Sequence, residues 1–239
     1  MTRPDPSPVF AGARRRPDNI FVLTMNALIL VDLQNDFLPA GALPVAGGDA
    51  VVPVANRLAD SNQFDLVVAT QDWHPPGHGS FAVSHPGRKP GDVIDLDGLA
   101  QILWPVHCVQ HSPGAAFAPG LRHARAERVF QKGTDPRIDS YSGFFDNGHR
   151  KSTGLGDFLR ARDVNHLFVL GLATDYCVKF TALDARQLGF AVILIADGCR
   201  AVNVRPGDGE RALEAMRAAG VSVTTSDAVL ARTGTGSGP

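Results

Sequence analysis

The chain has 239 residues, 44% of them hydrophobic and 20% charged, the length of one domain with enough apolar material for a full core, which excludes a disordered chain. Its 23 Lys and Arg against 24 Asp and Glu leave a formal charge of −1, so nothing in the balance draws it to nucleic acid or an acidic membrane surface. No apolar run approaches the roughly 20 residues that cross a bilayer. Three cysteines, Cys108, Cys177 and Cys199, are too few for a disulfide framework, and a reducing, cytoplasmic compartment is expected.

The first 26 residues, with Arg14-Arg15-Arg16 and repeated proline, carry neither an apolar period nor a signal-like apolar centre. A flexible arm is expected over 1–26, the working domain over 27–231 and a flexible tail over 232–239. Ala27-Leu-Ile-Leu-Val-Asp32 is a continuous apolar run closing on an acid, the pattern of a central parallel strand with Asp32 at its carboxyl end. A helix near 50–59 and a strand over 66–70 follow. Between Asp72 and Lys132 the period is lost, and Pro, Gly and His crowd a stretch too long for an idle connection. Such loops at the carboxyl ends of parallel strands are where α/β proteins hold ligands. Lys132 ends a short apolar run, Val129-Phe-Gln-Lys132, and is placed at a strand terminus. A helix near 156–161, a strand over 166–171, a helix over 175–188, a strand over 191–196, a helix over 207–219 and a strand over 221–224 complete the pattern. The alternation requires right-handed crossovers and predicts an α/β three-layer sandwich, a central, mostly parallel sheet flanked by helices.

Gln71-Asp72-Trp73-His74-Pro75-Pro76-Gly77-His78 sets a carboxylate and two imidazoles directly after a strand, where a loop can fold them about one point. These are ligand types for zinc, manganese or iron. A further histidine would come from the same irregular stretch: His107, in Trp104-Pro-Val-His107-Cys108, competes with His85 and His111. Three histidines and one carboxylate would leave metal positions open to water and substrate, a catalytic arrangement. Gly171-Leu-Ala-Thr-Asp-Tyr-Cys177 runs from a strand end into a helix, so Cys177 falls in the first turn. There the helix dipole favours a thiolate and the unpaired amides can bind an oxyanion, with a buried structural thiol as the alternative. Cys108 and Cys199 have no such setting and are read as inert. The sharper hypothesis is that Asp32, Lys132 and Cys177 converge from three strand ends, the ammonium lowering the thiol pKa and Asp32 accepting and returning its proton.

With these residues in view, the chain resembles the nicotinamidase/pyrazinamidase group of the isochorismatase-like cysteine hydrolases over residues 26–230. The motifs that carry the resemblance are Val31-Asp32-Leu-Gln-Asn-Asp36-Phe37, Asp72-Trp-His74-Pro-Pro-Gly-His78, Trp104-Pro-Val-His107-Cys108, Lys132-Gly133, Tyr141-Ser-Gly-Phe144 and Gly171-Leu-Ala173-Thr-Asp-Tyr-Cys177. It implies a catalytic Asp32, Lys132 and Cys177, metal ligands Asp72, His74, His78 and His107, and oxyanion donors at the amides of Ala173 and Cys177. It also implies a cis peptide between Leu172 and Ala173, and a substrate site built from Phe37, Trp104, Tyr141, Leu172 and Tyr176. One divalent metal ion is implied, zinc first, with manganese or iron as alternatives.

The activity implied is hydrolysis of nicotinamide to nicotinate and ammonia, and of pyrazinamide to pyrazinoate, through a thioester, in the recycling of NAD precursors. The histidine cluster separates this group from the isochorismatase and carbamoyl-amide branches, which match at the Asp, Lys and Cys positions. Hydrolysis of another amide or carbamoyl substrate is the alternative activity, and a non-catalytic metal- or metabolite-binding protein is the alternative of a different class. Two departures from the group bear on ring selectivity or rate: a longer segment between Lys132 and Tyr141, and Tyr176 where some members carry histidine. No nucleic-acid or membrane partner is expected, and a homo-oligomer is left open.

Overall fold

The computed structural model describes residues 24–231; the expected arm and tail lie outside these, save residues 24–26. The elements in chain order are β1 (Met25–Val31), α1 (Val51–Ala59), β2 (Leu66–Asp72), β3 (Val93–Leu96), β4 (Leu99–Ile102), β5 (Arg128–Lys132), α2 (Leu155–Arg160), β6 (Val164–Leu172), α3 (Lys179–Gln187), β7 (Ala191–Arg200), α4 (Asp208–Ala218), β8 (Ser222–Thr224) and α5 (Ser226–Leu230). Six strands form one sheet in the order β5-β2-β1-β6-β7-β8, every neighbouring pair parallel. Helix α1 packs with α5 and α3 with α4 against the central strands, so the sheet is covered on both faces. That is why β1 and β2 read as unbroken apolar runs: residues 27–31 are at most 1% exposed, and all seven residues of β2 are buried.

The chain enters at the middle of the sheet, winds outward through β2 to β5, then returns to lay β6 on the other side of β1. The winding reverses between β1 and β6, and the carboxyl ends on either side of such a point open a crevice. Four adjacent strands, β5, β2, β1 and β6, thus deliver Lys132, Asp72, Asp32 and the turn leading to Cys177 to one rim. Asp72 is the register partner of Lys132, and Val31 that of Gly171. Gly171 makes the close approach here: a Cβ on it would stand 2.1 Å from the Val31 carbonyl oxygen.

The irregular stretch between β2 and β5 contains a separate antiparallel hairpin, β3 with β4, which the period did not reveal. Its strands are four residues each, and their turn, Asp97-Gly98, is left-handed at both positions, the backbone of a tight hairpin turn. Strand β7 runs to Arg200, past the expected end at 196, with a register shift against β6 between Val169 and Gly171. The helix expected from Asp175 opens instead as one π turn, Thr174–Val178, before α3 begins.

Candidate active site and metal centre

Asp32 follows directly on β1, where a φ of +48° turns the chain, and Lys132 ends β5. The Lys132 ammonium is fully buried and sits among all the expected catalytic groups. It donates to Asp72 Oδ1 at 3.0 Å, to the Ser140 carbonyl at 2.9 Å and to Cys177 Sγ at 3.4 Å. Asp32 Oδ2 is 2.9 Å from the same nitrogen, an ion-pair contact as short as any of these. Asp32 Oδ1 accepts from Thr70 Oγ1 at 2.6 Å. A carboxylate oxygen has two lone pairs, so Oδ2 keeps one for a proton while it faces Lys132.

The electrostatics correct the expectation of a resting thiolate. Burial pushes the Cys177 thiol well above its usual range, and Asp32 and Asp72 add to that against the opposing Lys132. The start of a helix favours the anion locally, but desolvation and two neighbouring carboxylates outweigh it. Burial likewise raises Asp32, with Lys132 opposing. Burial works against the charge on Lys132, yet Asp32 and Asp72 together hold it well above the usual lysine range. These directions favour a neutral thiol beside a charged ammonium. The other two thiols are also buried, Cys199 pushed up to about 12 by that burial, in keeping with inert roles.

Asp72 links this group to a second one. Its Oδ1 faces Lys132, while its Oδ2 lies 3.1 Å from His74 Nε2 and 3.5 Å from His107 Nε2. His74 Nδ1 is 3.0 Å from the Gly133 carbonyl, and His107 Nδ1 is 2.8 Å from the Pro105 carbonyl. A carbonyl only accepts, so each Nδ1 carries the hydrogen, and in the neutral ring each Nε2 turns a lone pair toward Asp72. Gly133 cannot be larger, since a Cβ there would stand 2.5 Å from His74 Cε1. Two imidazole lone pairs and a carboxylate oxygen would repel in this buried space, so a cation belongs among them: a proton on His74 Nε2, which Asp72 favours against burial, or a metal ion. Ring orientation by backbone carbonyls is also the usual support of metal-bound histidine. The residues fit a divalent metal ion.

The structure brings together three of the four expected ligands. His78 lies ring to ring with His74, centroids 4.4 Å apart, but its Nδ1 takes the Ser80 amide hydrogen at 3.1 Å and its Nε2 meets the Asp135 carbonyl at 2.8 Å. With Asp139 and His74 it forms a neighbouring trio of donor atoms within 4.8 Å of one another. His85 bonds the Gly79 carbonyl and His111 stands edge-on to Trp73; His107 is the third-histidine candidate that reaches Asp72.

Cys177 and Ala173 lie in a cleft of about 410 Å³. Of the five expected substrate-site residues, Phe37, Trp104, Tyr141 and Tyr176 line it. Leu172 does not: it is fully buried in the core, since it ends a central strand rather than opening the turn. The Leu172–Ala173 peptide is cis. Sequence reasoning missed Leu43, Val45, Asp139 and Val202 on the cleft wall. Asp139 stands two residues before Tyr141 in the longer segment, where an isolated loop acid gives no signal. Tyr141 Oη accepts from Gln101 Nε2 at 3.0 Å and from Trp104 Nε1 at 3.2 Å, and Gln101 Nε2 also meets Asp139 Oδ2 at 3.1 Å. The β3–β4 hairpin therefore braces the aromatic wall from behind.

Comparison with known proteins agrees with this geometry. The family described as Isochorismatase domain matches residues 26–228. The nicotinamidase of Escherichia coli strain K12 is 54% identical over 201 residues, covering 83% of this chain and 94% of that one. Among solved structures, an Acinetobacter baumanii nicotinamidase/pyrazinamidase superposes with a TM-score of 0.82 at 43% identity, covering 86% of this chain and 98% of that one. A pyrazinamidase of Pyrococcus horikoshii in complex with zinc superposes at 0.68 with 39% identity, covering 84% and 98%. The chain belongs to the isochorismatase-domain family, on its nicotinamidase/pyrazinamidase branch.

Proposed function

We propose that the protein hydrolyses nicotinamide to nicotinate and ammonia, and pyrazinamide to pyrazinoate, with Cys177 as nucleophile. The observation that carries this reading is the junction at Asp72, where a buried Asp32–Lys132–Cys177 group and a His74–His107 donor set meet at one aromatic cleft. The likeness to nicotinamidases over most of the chain supplies the substrate class.

Asp32 Oδ2 takes the Cys177 proton on its remaining lone pair as Sγ attacks the carboxamide carbon. Lys132 stays protonated and holds the sulfur and both carboxylates in place. The amides of Ala173 and Cys177 receive the developing oxyanion, each such donor being worth about 3–4 kcal/mol. Asp32 then returns the proton to the departing nitrogen, without which an amide anion would have to leave. Ammonia departs and a thioester remains. Asp32 next removes a proton from water attacking the thioester, and the released thiolate recovers its proton from Asp32. Phe37, Trp104, Tyr141 and Tyr176 pack on the ring and hold the carboxamide over the sulfur.

Asp72, His74 and His107 would hold the divalent ion, zinc first, manganese or iron as alternatives; when bound, it supplies a Lewis acid that can anchor a ring nitrogen. His78 would join the set only by giving up its bonds to Ser80 and Asp135, so three residues are the proposed ligands. No helix among the described residues is long and apolar enough to cross a membrane, and three unpaired thiols suit a reducing compartment; the cytoplasm is the proposed location.

Purified protein should release ammonia from nicotinamide, and prior chelation should reduce that release. No release from metal-loaded protein would transfer the assignment to another amide or carbamoyl substrate. His74→Ala should lose bound metal and raise KM; unchanged metal stoichiometry would contradict the ligand set. The pH profile follows from the reactive form, ionised Asp32 beside protonated Cys177. Because burial raises Asp32, kcat/KM should fall on the acid side through a midpoint above the ordinary carboxylate range of about 4. Because burial raises Cys177, the alkaline limb should lie above the ordinary thiol range of about 8.5. An acid limb at or below 4 would remove Asp32 from the role of base.

A further inference from the structure

The segment between Asp32 and Phe37 reads Leu33-Gln34-Asn35-Asp36, and the chemistry above uses none of it. Gln34 is fully buried, and its side-chain amide meets the main chain of Asp72 twice. The Asp72 amide donates to Gln34 Oε1 at 2.8 Å, and Gln34 Nε2 donates to the Asp72 carbonyl at 2.8 Å. A side chain here does the work of a strand residue. The need arises because β1 stops at Val31 while β2 runs on to Asp72, the last ladder pair between them being Leu30 with Ala69. On that edge the buried N–H and C=O of Asp72 would otherwise lack a β1 partner, a costly state for backbone groups. The same Nε2 also donates to the Ala115 carbonyl at 2.9 Å, and the Gln34 backbone bridges Phe117. The amide therefore ties the strand that carries Asp72 to the loop that follows His107.

We propose that Gln34 is a positioning residue for the metal centre, holding the Asp72 main chain so that Oδ2 stays where His74 Nε2 and His107 Nε2 converge. The inference rests on the metal-site reading above. Gln71 supplies an internal comparison, because its Nε2 also bonds the Ala115 carbonyl, at 3.0 Å, without touching the Asp72 main chain.

The test is zinc affinity, measured by competition with a chromophoric chelator, with near-ultraviolet circular dichroism of the metal-free protein as the check on folding. Gln34→Met should weaken zinc binding about 10- to 100-fold, the usual effect of removing support behind a ligand, while the metal-free protein keeps its native signal. Gln34→Glu should weaken it at least as much, since a carboxylate has no hydrogen for either carbonyl. Gln71→Leu should bind zinc as the wild type does. Should Gln34→Met not fold, Gln34→Asn is read in its place, the amide one methylene short of Asp72, with a loss of at least about 10-fold expected. Wild-type affinity in the folded Gln34 variants, or an equal loss in Gln71→Leu, would overturn the proposal and leave the metal site standing. A wild type that binds no zinc, or a His74→Ala that binds it undiminished, would overturn the metal-site reading and this inference with it.

Discussion

Replacing Cys177 with alanine is expected to lower turnover by about 10⁴- to 10⁶-fold, the scale on which removal of one member of a nucleophilic set acts, while leaving metal content and fold unchanged. The separation follows from what the sulfur touches. Its polar neighbours are Lys132 Nζ at 3.4 Å and the Asp32 carboxylate, and that ammonium keeps Asp32, Asp72 and Ser140 when the thiol is gone. Because burial keeps the thiol protonated, its loss uncovers no charge. The proposed ligand atoms of Asp72, His74 and His107 form their own contacts on the far side of Asp72. Single-turnover assay, metal analysis and calorimetric binding of nicotinamide on one preparation check all three parts. Activity within tenfold of wild type would end the nucleophile assignment, and loss of metal would show that the sulfur supports the centre rather than the reaction.

The fold was legible because a parallel sheet covered on both faces must write its strands as apolar runs. Residues 27–31, 66–70, 166–171 and 191–196 are such runs, and all of them lie in the central sheet. The exposed edges of the fold left weaker traces. The β3–β4 hairpin has strands of four residues with alternating exposure, and its clearest mark was the Asp97-Gly98 turn, one dipeptide in sixty irregular residues. The candidate site divides in the same way. Asp32, Asp72 and Lys132 stand at strand ends, and strand ends can be read from the sequence. His107 could not be separated from His85 and His111, because in an irregular loop separation along the chain says nothing about separation in space. The upward push on the Cys177 thiol was not legible for a related reason: the helix start is a local feature, whereas burial and the charges of Asp32 and Asp72 come from other strands.

Lys132→Met should destabilise the metal-free protein by about 3–5 kcal/mol, the cost of removing one partner from a buried ion pair. The ammonium is fully buried between Asp32 Oδ2 at 2.9 Å and Asp72 Oδ1 at 3.0 Å, so methionine would fill its volume and leave two desolvated carboxylates facing each other. The pH dependence should shift with it. In the wild type, Asp72 is held well below the usual carboxylate range: burial opposes the charge, but His74 and Lys132 outweigh it. Its contribution is therefore present above the unfolded pKa and lost as pH falls through the depressed folded value. Burial already raises Asp32 in the wild type with Lys132 opposing, so without Lys132 it binds its proton more tightly still, and its part of the stability should rise as pH is lowered from neutrality toward about 5, while Asp72 keeps His74 to hold its charge. Adding Asp32→Asn to Lys132→Met removes one of the two stranded charges and should recover part of the loss, a coupling that a double-mutant cycle in denaturant reads directly. A loss below about 1 kcal/mol, the scale of exposed pairs, with no recovery from the second substitution, would mean that water or structural relaxation reaches this nitrogen and that the buried triad does not hold the rim of the sheet together.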